Sequence, residues 1–361
     1  MTLKLKTHLL TMVAAGAIAA ASAVSAQEFA GETITLYTPG SPGGGNDSYA
    51  RTLVPWLQQH LPGEPTIIVR NLPGAGTIAG MNVFQAESEP DGLHAVSISA
   101  SGVSNYAFRN PNVEYDLENF IPVLASPQGS IIYANPDLDV TGPENIEVLQ
   151  GADLVYGGNN PTGADLPIIL MFDLLGFEVN TVWGLSRGPS RLAYERGEFN
   201  INFDSSTGYS NAGIELVEAG RAVPLFTAGV VNAEGEIVRD PNFPDLPHFL
   251  EVYEQVHGEA LTGVALEAWR ALHSMSAATN KAIALPADTP DEIVEAYTQA
   301  IRDLLADPEA QEATGSIFLE YEQIVGREAA STIFEQATNL SDEVRAYLNE
   351  WLEENENVTI Q

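Results

Sequence analysis

The sequence predicts an α/β protein of two lobes, each a mostly parallel sheet flanked by helices, with a ligand site in the cleft between them. Three observations carry this expectation. From Thr33 onward, short β-rich runs alternate with stretches of helical period, the pattern of βαβ units. That pattern stops near Phe120, gives way to the extended passage IPVLASPQGSIIYANPDLD, and restarts at DLVYGG. Glycine-bearing turns follow successive strands, and open α/β sheets bind ligands at the carboxyl ends of their strands.

The elements follow in order. MTLKLKTHLLTMVAAGAIAAASAVSAQ opens with Lys4 and Lys6, an apolar run from Leu9 to about Ala21, and Val24-Ser25-Ala26. It reads as a secretory signal peptide, residues 1–26, because the run falls short of the ~20 apolar residues that span a bilayer. TITLYT is a strand. The run Ser48–Leu61 places Tyr49, Leu53, Trp56 and Leu57 on one helix face and ends at Pro62-Gly63. TIIVR is a buried strand, NLPGAGTIAGMNVFQAE a loop and second helix, and HAVSISASG a strand ending in a serine-rich turn. In the second lobe DLVYGG is a strand, NNPTGAD a turn, LPIILMFDLLG a helix, and INFD and RAVPLFTAG further strands. PNFPDLP, Pro241 to Pro247, is expected to return the chain to the first lobe. There ADTPDEIVEAYTQAIRDLLADPEAQEAT forms a helix capped by Asp288 or Thr289, with Pro290 at its start. The expected domains are 27–126 with 250–361, and 127–249.

Charge excludes several functions. Removing Lys4 and Lys6 from 15 basic residues leaves 13 against 49 acidic ones, a net charge of −36, and Lys281 is the one lysine past the signal segment. Such a surface repels nucleic acid and anionic lipid, so neither is expected as a partner, and no direct membrane insertion is expected. An acidic, lysine-poor face suits high salt, where charge repulsion is screened. There is no cysteine, so neither a disulfide nor a lipidated amino-terminal cysteine is available. Catalytic signals are missing: no Gly-x-Ser-x-Gly elbow, no His-Glu-x-x-His, no thiol nucleophile, and histidines 60, 94, 248, 257 and 273 stand without ligand spacing. No enzyme activity, cofactor or metal is expected.

PGGGNDSYARTLVPWLQQHLPGEPTIIVRNLPGAGTIAGMNVF resembles the first domain of the Bug/TctC-type solute receptors of tripartite tricarboxylate transporters. The VLASP crossover, Tyr156 before a Gly/Asn turn, RLAYERGEFN, PDLP and ALPADTPDEIV follow in that family's order. The stretch from His257 to Asn280 is longer than the compact connection of many members. The resemblance implies a type II periplasmic-binding-protein fold, a periplasmic location, and a small organic carboxylate enclosed between the lobes of a monomer. It also implies delivery to a two-subunit membrane permease. A different role for the same lobes is a sensory subunit docking on a histidine-kinase ectodomain.

The candidate site residues lie at the strand-end turns. Glycine-rich turns that open helices present backbone N–H groups and the positive end of a helix dipole to an anion. No Gly-Lys-Ser/Thr follows the first of them, so it is not a nucleotide loop. Ser41, Gly43, Gly44, Gly45, Asn46 and Asp47 form that first turn. Asn71, Gly74, Ala75, Gly76 and Thr77 form the second, Ser99 and Ser101 end the third strand, and Asn159, Thr162 and Gly163 precede a second-lobe helix. Asp204, ending INFD, is placed to accept from a ligand hydroxyl or amine. Asp47 is also spaced to cap its helix and pair with Arg51. Arg187 and Arg191 offer bidentate clamps or partners for surface acids.

Overall fold

The computed structural model describes residues 29–232 and 236–360; the expected signal peptide lies outside them. The first sheet is built from β1 (Thr33–Thr38), β2 (Thr66–Asn71), β3 (His94–Ser99), β4 (Ile121–Ser126) and two late-coming strands. Helices α1 (Gly45–His60), α2 (Ile78–Glu87) and α3 (Ala100–Ala107) connect its early strands. The chain then crosses and builds β5 (Ser130–Ala134), β6 (Leu154–Gly157), α4 (Leu166–Leu174), β7 (Val179–Val182), α5 (Arg187–Glu195) and β8 (Ile201–Ser205). Short helices α6 (Ser206–Gly208) and α7 (Ile214–Glu218) lead to β9 (Val223–Thr227), the small hairpin β10 (Val230–Val231) and β11 (Ile237–Val238), and α8 (Phe249–His257). Helix α9 (Gly263–Ala278) returns the chain to β12 (Lys281–Leu285). Helices α10 (Asp291–Ala306) and α11 (Pro308–Phe318), strand β13 (Ile324–Val325), and helices α12 (Arg327–Thr338) and α13 (Asp342–Glu356) complete it. Among the described residues, no helix is long and apolar enough to cross a membrane.

The two-lobe α/β architecture is as expected, but the sheets are mixed. In the first, of order β2-β1-β3-β12-β4-β13, β1, β2 and β3 pair in parallel, while β12 runs antiparallel to both β3 and β4. A strand arriving from the other lobe enters the sheet from its carboxyl edge, so it must run against its neighbours. In the second lobe β5 is antiparallel to β8 and β9, and only β6 and β7 pair in parallel. PNFPDLP does not carry the chain back either. It leads into α8, which packs on β9 and on residues 143–151, with Phe249 against Phe226. The return runs through α9.

Packing explains why α9 is long and apolar on most sides. One core lies between the first sheet and α1, with Ile34, Leu36, Tyr49, Leu53 and Ile283 buried. A second extends from the opposite face of that sheet, through Val96, Ile98 and Phe84, past α9 to Leu166, Leu170 and Phe226. Helix α9 contacts α3, α12, α13 and α4, so it is lodged between the lobes. Its Trp269, fully buried, meets Phe249 at 4.7 Å and lies flat on His273 at 5.1 Å; truncating such a side chain to alanine costs about 3–5 kcal/mol. Helix α13 straddles the same seam. Arg345 donates to Ala107 O (2.8 Å), Trp351 Nε1 to Asp173 Oδ2 (2.7 Å), and Trp183 Nε1 to Glu356 Oε2 (2.8 Å).

Candidate ligand site between the lobes

The carboxyl edge of the first sheet gathers the first lobe's turns. Helix α1 starts at Gly45, inside the glycine run, with Gly44 extended as its N-cap. Not all of the turn's N–H groups point outward: Gly43 N donates to Asp47 Oδ2 (2.8 Å) and Gly44 N to Ser41 O (3.0 Å). The donors available to a ligand are therefore the first-turn amides of Gly45, Asn46 and Asp47, which by helix geometry lack a carbonyl four residues back. Asn46 ties the turn to the sheet, donating from Nδ2 to Ser97 O and accepting from Ser97 Oγ, both at 2.8 Å.

Asp47 and Asn71 are braces. Buried Asp47 accepts from Arg51 Nε (2.9 Å) and Asn71 Nδ2 (2.9 Å), and Asn71 also bonds Gly40 O and Arg51. Burial alone would raise the Asp47 carboxyl, but the hydrogen bonds from Arg51, Gly43 and Asn71 outweigh it and hold it below the usual carboxylate range. Both side chains hold the two loops of the first lobe together, and Asp47 makes the pairing with Arg51 that its spacing predicted.

The second loop is strained. Gly74, Ala75, Gly76 and Thr77 all have positive φ, at 145°, 47°, 62° and 82°. For a β-branched residue such as Thr77 that is a costly conformation, of the kind that gathers at ligand sites. Thr77 Oγ1 is buried with no hydrogen-bond partner.

Across the cleft, β6 ends at Gly157 and the turn 158–165 opens α4. A Cβ placed on Gly76 would lie 2.7 Å from Asn160 Nδ2 and 3.5 Å from Asn105 Nδ2. One on Gly163 would lie 3.2 Å from Ser101 Oγ. The second loop and the start of α3 therefore meet the second-lobe turn directly, and the absence of side chains at Gly76 and Gly163 permits the approach. Asn160 Oδ1 accepts from Thr162 N and Oγ1, at 3.1 and 3.2 Å. Asn159 N donates to Asp165 Oδ2 (3.1 Å), and Tyr156 OH bonds the other oxygen of that carboxylate.

Of the expected residues, Gly76, Ser101 and Gly163 come together across the lobes, carrying Gly74, Ala75, Thr77, Asn159 and Thr162 with them. Ser41 and Gly43 lie exposed on the rim. Asp204 does not join them. It is buried in the second lobe, accepting from both Arg191 Nε (2.8 Å) and Arg191 Nη2 (2.5 Å) and from Tyr133 OH (2.8 Å), so its oxygens are already committed. Neither arginine is a clamp for a ligand or a partner of surface acids. Arg187 donates to Gly157 O (2.5 Å) and Phe203 O (3.2 Å), pairs with Asp165, and lies over the Phe203 ring at 4.4 Å. Asn105 and Asn160, which the sequence reading passed over, stand at the point of closest approach. An open depression of about 710 Å³ lies elsewhere, between α10 and α12, and its Arg302 and Arg327 are paired with Glu295 and Asp291.

Known proteins agree with this architecture. The chain is 26% identical over 291 residues to a UPF0065 protein from the TAR-I ttuE-ttuC' intergenic region of Agrobacterium vitis, a match that takes in 79% of this chain and 74% of that one. The periplasmic binding protein BugD superposes with a TM-score of 0.63 at 20% identity, covering 91% of this chain and 99% of its own. An R. palustris protein solved with adipate superposes with a TM-score of 0.64 at 18% identity, covering 91% and 98%. No family model matches the chain. The resemblance read from the sequence stands: the chain is a homologue of a UPF0065 protein and has the type II periplasmic-binding-protein fold.

Proposed function

We propose that this protein is an exported receptor that captures a small organic carboxylate between its lobes and delivers it to a two-subunit membrane permease of the tripartite tricarboxylate type. The observation that carries the reading is the meeting of Gly76 and Ser101 with Asn160 and Gly163 across the cleft. A ligand held there touches both lobes only when they are closed, so binding favours the closed state by the contacts the open state lacks. The first turns of α1 and α3 approach this region, and helix N-termini favour anions. Those dipoles act over one turn, whereas the protein's net negative charge acts through screened solvent, so local attraction prevails. The adipate held by one neighbour of the same fold supports the choice of a carboxylate. The groups that converge here are amides and hydroxyls suited to binding, and the reading is of reversible capture without turnover.

Thermal melting of the purified protein against mono-, di- and tricarboxylates in high salt, followed by small-angle scattering with each stabilising acid, tests the proposal. The expected outcome is a higher melting temperature together with a smaller radius of gyration. A panel in which no carboxylate stabilises the protein, or stabilisers that leave the scattering unchanged, would overturn it.

A further inference from the structure

The first sheet places the one lysine of the mature chain at the edge where the ligand turns gather. Lys281 opens β12, in register with Ser99 at the end of β3 and Ser126 at the end of β4. Residues paired across antiparallel strands share a face, and that face is identifiable. Ser126 Oγ bonds Tyr49 OH of α1 at 2.7 Å, and Ser97, two residues before Ser99, bonds Asn46 in the first turn of α1. Lys281 therefore belongs to the face under the start of α1.

Its surroundings do not neutralise it. The partly buried ammonium donates to Asn280 Oδ1 (2.6 Å) and Asn280 O (3.3 Å). Among the described residues, none of the ion pairs includes it. In a chain with 49 acidic residues, a structural lysine would find a carboxylate, since a desolvated charge without one costs stability. Burial lowers its proton affinity, to a pKa of about 8, so near neutral pH it still carries its charge.

A second polar group on the same face lacks a partner. Thr38 ends β1 and alternates with Ile34 and Leu36, which are buried in the core under α1. Its residue is 0% exposed and its Oγ1 has no hydrogen bond. A side chain at Gly40 would start 3.9 Å from Thr38 Cγ2 and 3.5 Å from Asn46 Cβ, which puts Thr38 beside the first turn of α1. A cation without a counter-ion and a hydroxyl without a partner thus sit below amides that favour an anion.

The geometry points to Lys281 as the charged anchor of the ligand site, pairing with a terminal carboxylate of a linear organic acid, with Thr38 as an auxiliary donor. Across the cleft the turn before α4 offers the neutral Asn160 and Thr162, and the charged groups behind it, Asp165 and Arg187, are paired with each other, so a single carboxylate at the Lys281 end is the required feature. This rests on the receptor reading above and deepens it.

The test compares succinate, hexanoate and adipate, together with the uncharged diamide of adipate, on the full mature chain and on Lys281→Met and Lys281→Arg. Lys281→Met should weaken the best acid by about 30-fold or more, leave the diamide within about threefold, and leave the unliganded melting temperature unchanged or raised. Lys281→Arg should recover most of the lost affinity. Binding of the acid by Lys281→Met within about threefold of the parent would overturn the anchor while leaving the receptor reading intact. A lowered unliganded melting temperature with unchanged acid affinity would assign Lys281 to the fold instead. Failure of the parent chain to bind any of the three acids would overturn the anchor, and the receptor reading falls with it if the tricarboxylates of the thermal panel also fail to bind.

Discussion

Acidification should loosen the seam between the lobes through one histidine. His273 lies on α9, 2% exposed, stacked flat on Trp269, and its Nε2 has no hydrogen-bond partner. Burial, and secondarily the charge of nearby His248, lowers its pKa from 6.5 to about 4. The unfolded chain, with an ordinary imidazole, therefore binds more protons than the folded one between these values. Stability attributable to neutral His273 is complete above about pH 7.5, declines as pH falls through 6.5, and is gone below 4. Linkage puts the loss at about 1.4 kcal/mol at pH 5.5 and about 2.5 kcal/mol at pH 4.5. Carboxylates titrate over the lower part of this range too, so the informative quantity is a difference. His273→Phe keeps the stack on Trp269 and removes the proton site. Urea denaturation followed by far-ultraviolet circular dichroism, in about 1 M NaCl to screen self-repulsion, should show the parent losing about 2.5 kcal/mol more than the variant between pH 7.5 and 4.5. Parallel profiles for the two proteins would refute the reasoning, because they would mean that His273 is protonated as readily folded as unfolded.

Two further substitutions probe the cleft and the buried ion pair. Gly76→Val would force a side chain against Asn160 Nδ2, 2.7 Å from the ideal Cβ, at a φ of +62°. It should cut carboxylate affinity by about tenfold or more and leave scattering in the presence of ligand at the unliganded value. Arg191→Met leaves Asp204 buried with Tyr133 and without its ion-pair partner, so urea unfolding should report a loss of about 3–5 kcal/mol. The double variant Arg191→Met/Asp204→Leu should recover most of it, and at low temperature its ligand affinity should match the parent's within about threefold.

Local chemistry was legible where one element contains it. The helices with a one-sided apolar stripe, such as α1 and α10, show their period directly, and Asp47 and Arg51 announce their pairing by lying four residues apart. Helix α9 carries no such stripe, because both lobes cover it and a helix apolar on most sides has no preferred face to read. The same limit applies to partners distant in sequence. Asp204 looks like a free acid at a strand end until α5 brings Arg191 against it. Lys281 is conspicuous in the sequence as the last lysine, yet only the register of β12 between Ser99 and Ser126 reveals where it stands. The strain at Thr77 was equally hidden, since a threonine in a loop does not disclose its φ.

The position of β12 also governs the order in which the chain can fold. β12 fills the gap between β3 and β4, but the entire second lobe is synthesised before it. Until it arrives, β3 and β4 each present an unpaired edge of backbone donors and acceptors, a template for pairing with another chain. Closing that gap requires contacts far apart in sequence, which slows folding and prolongs the exposure. The dense negative charge then acquires a second consequence: by keeping incomplete chains apart, it protects a sheet that cannot be finished until the second lobe has been made.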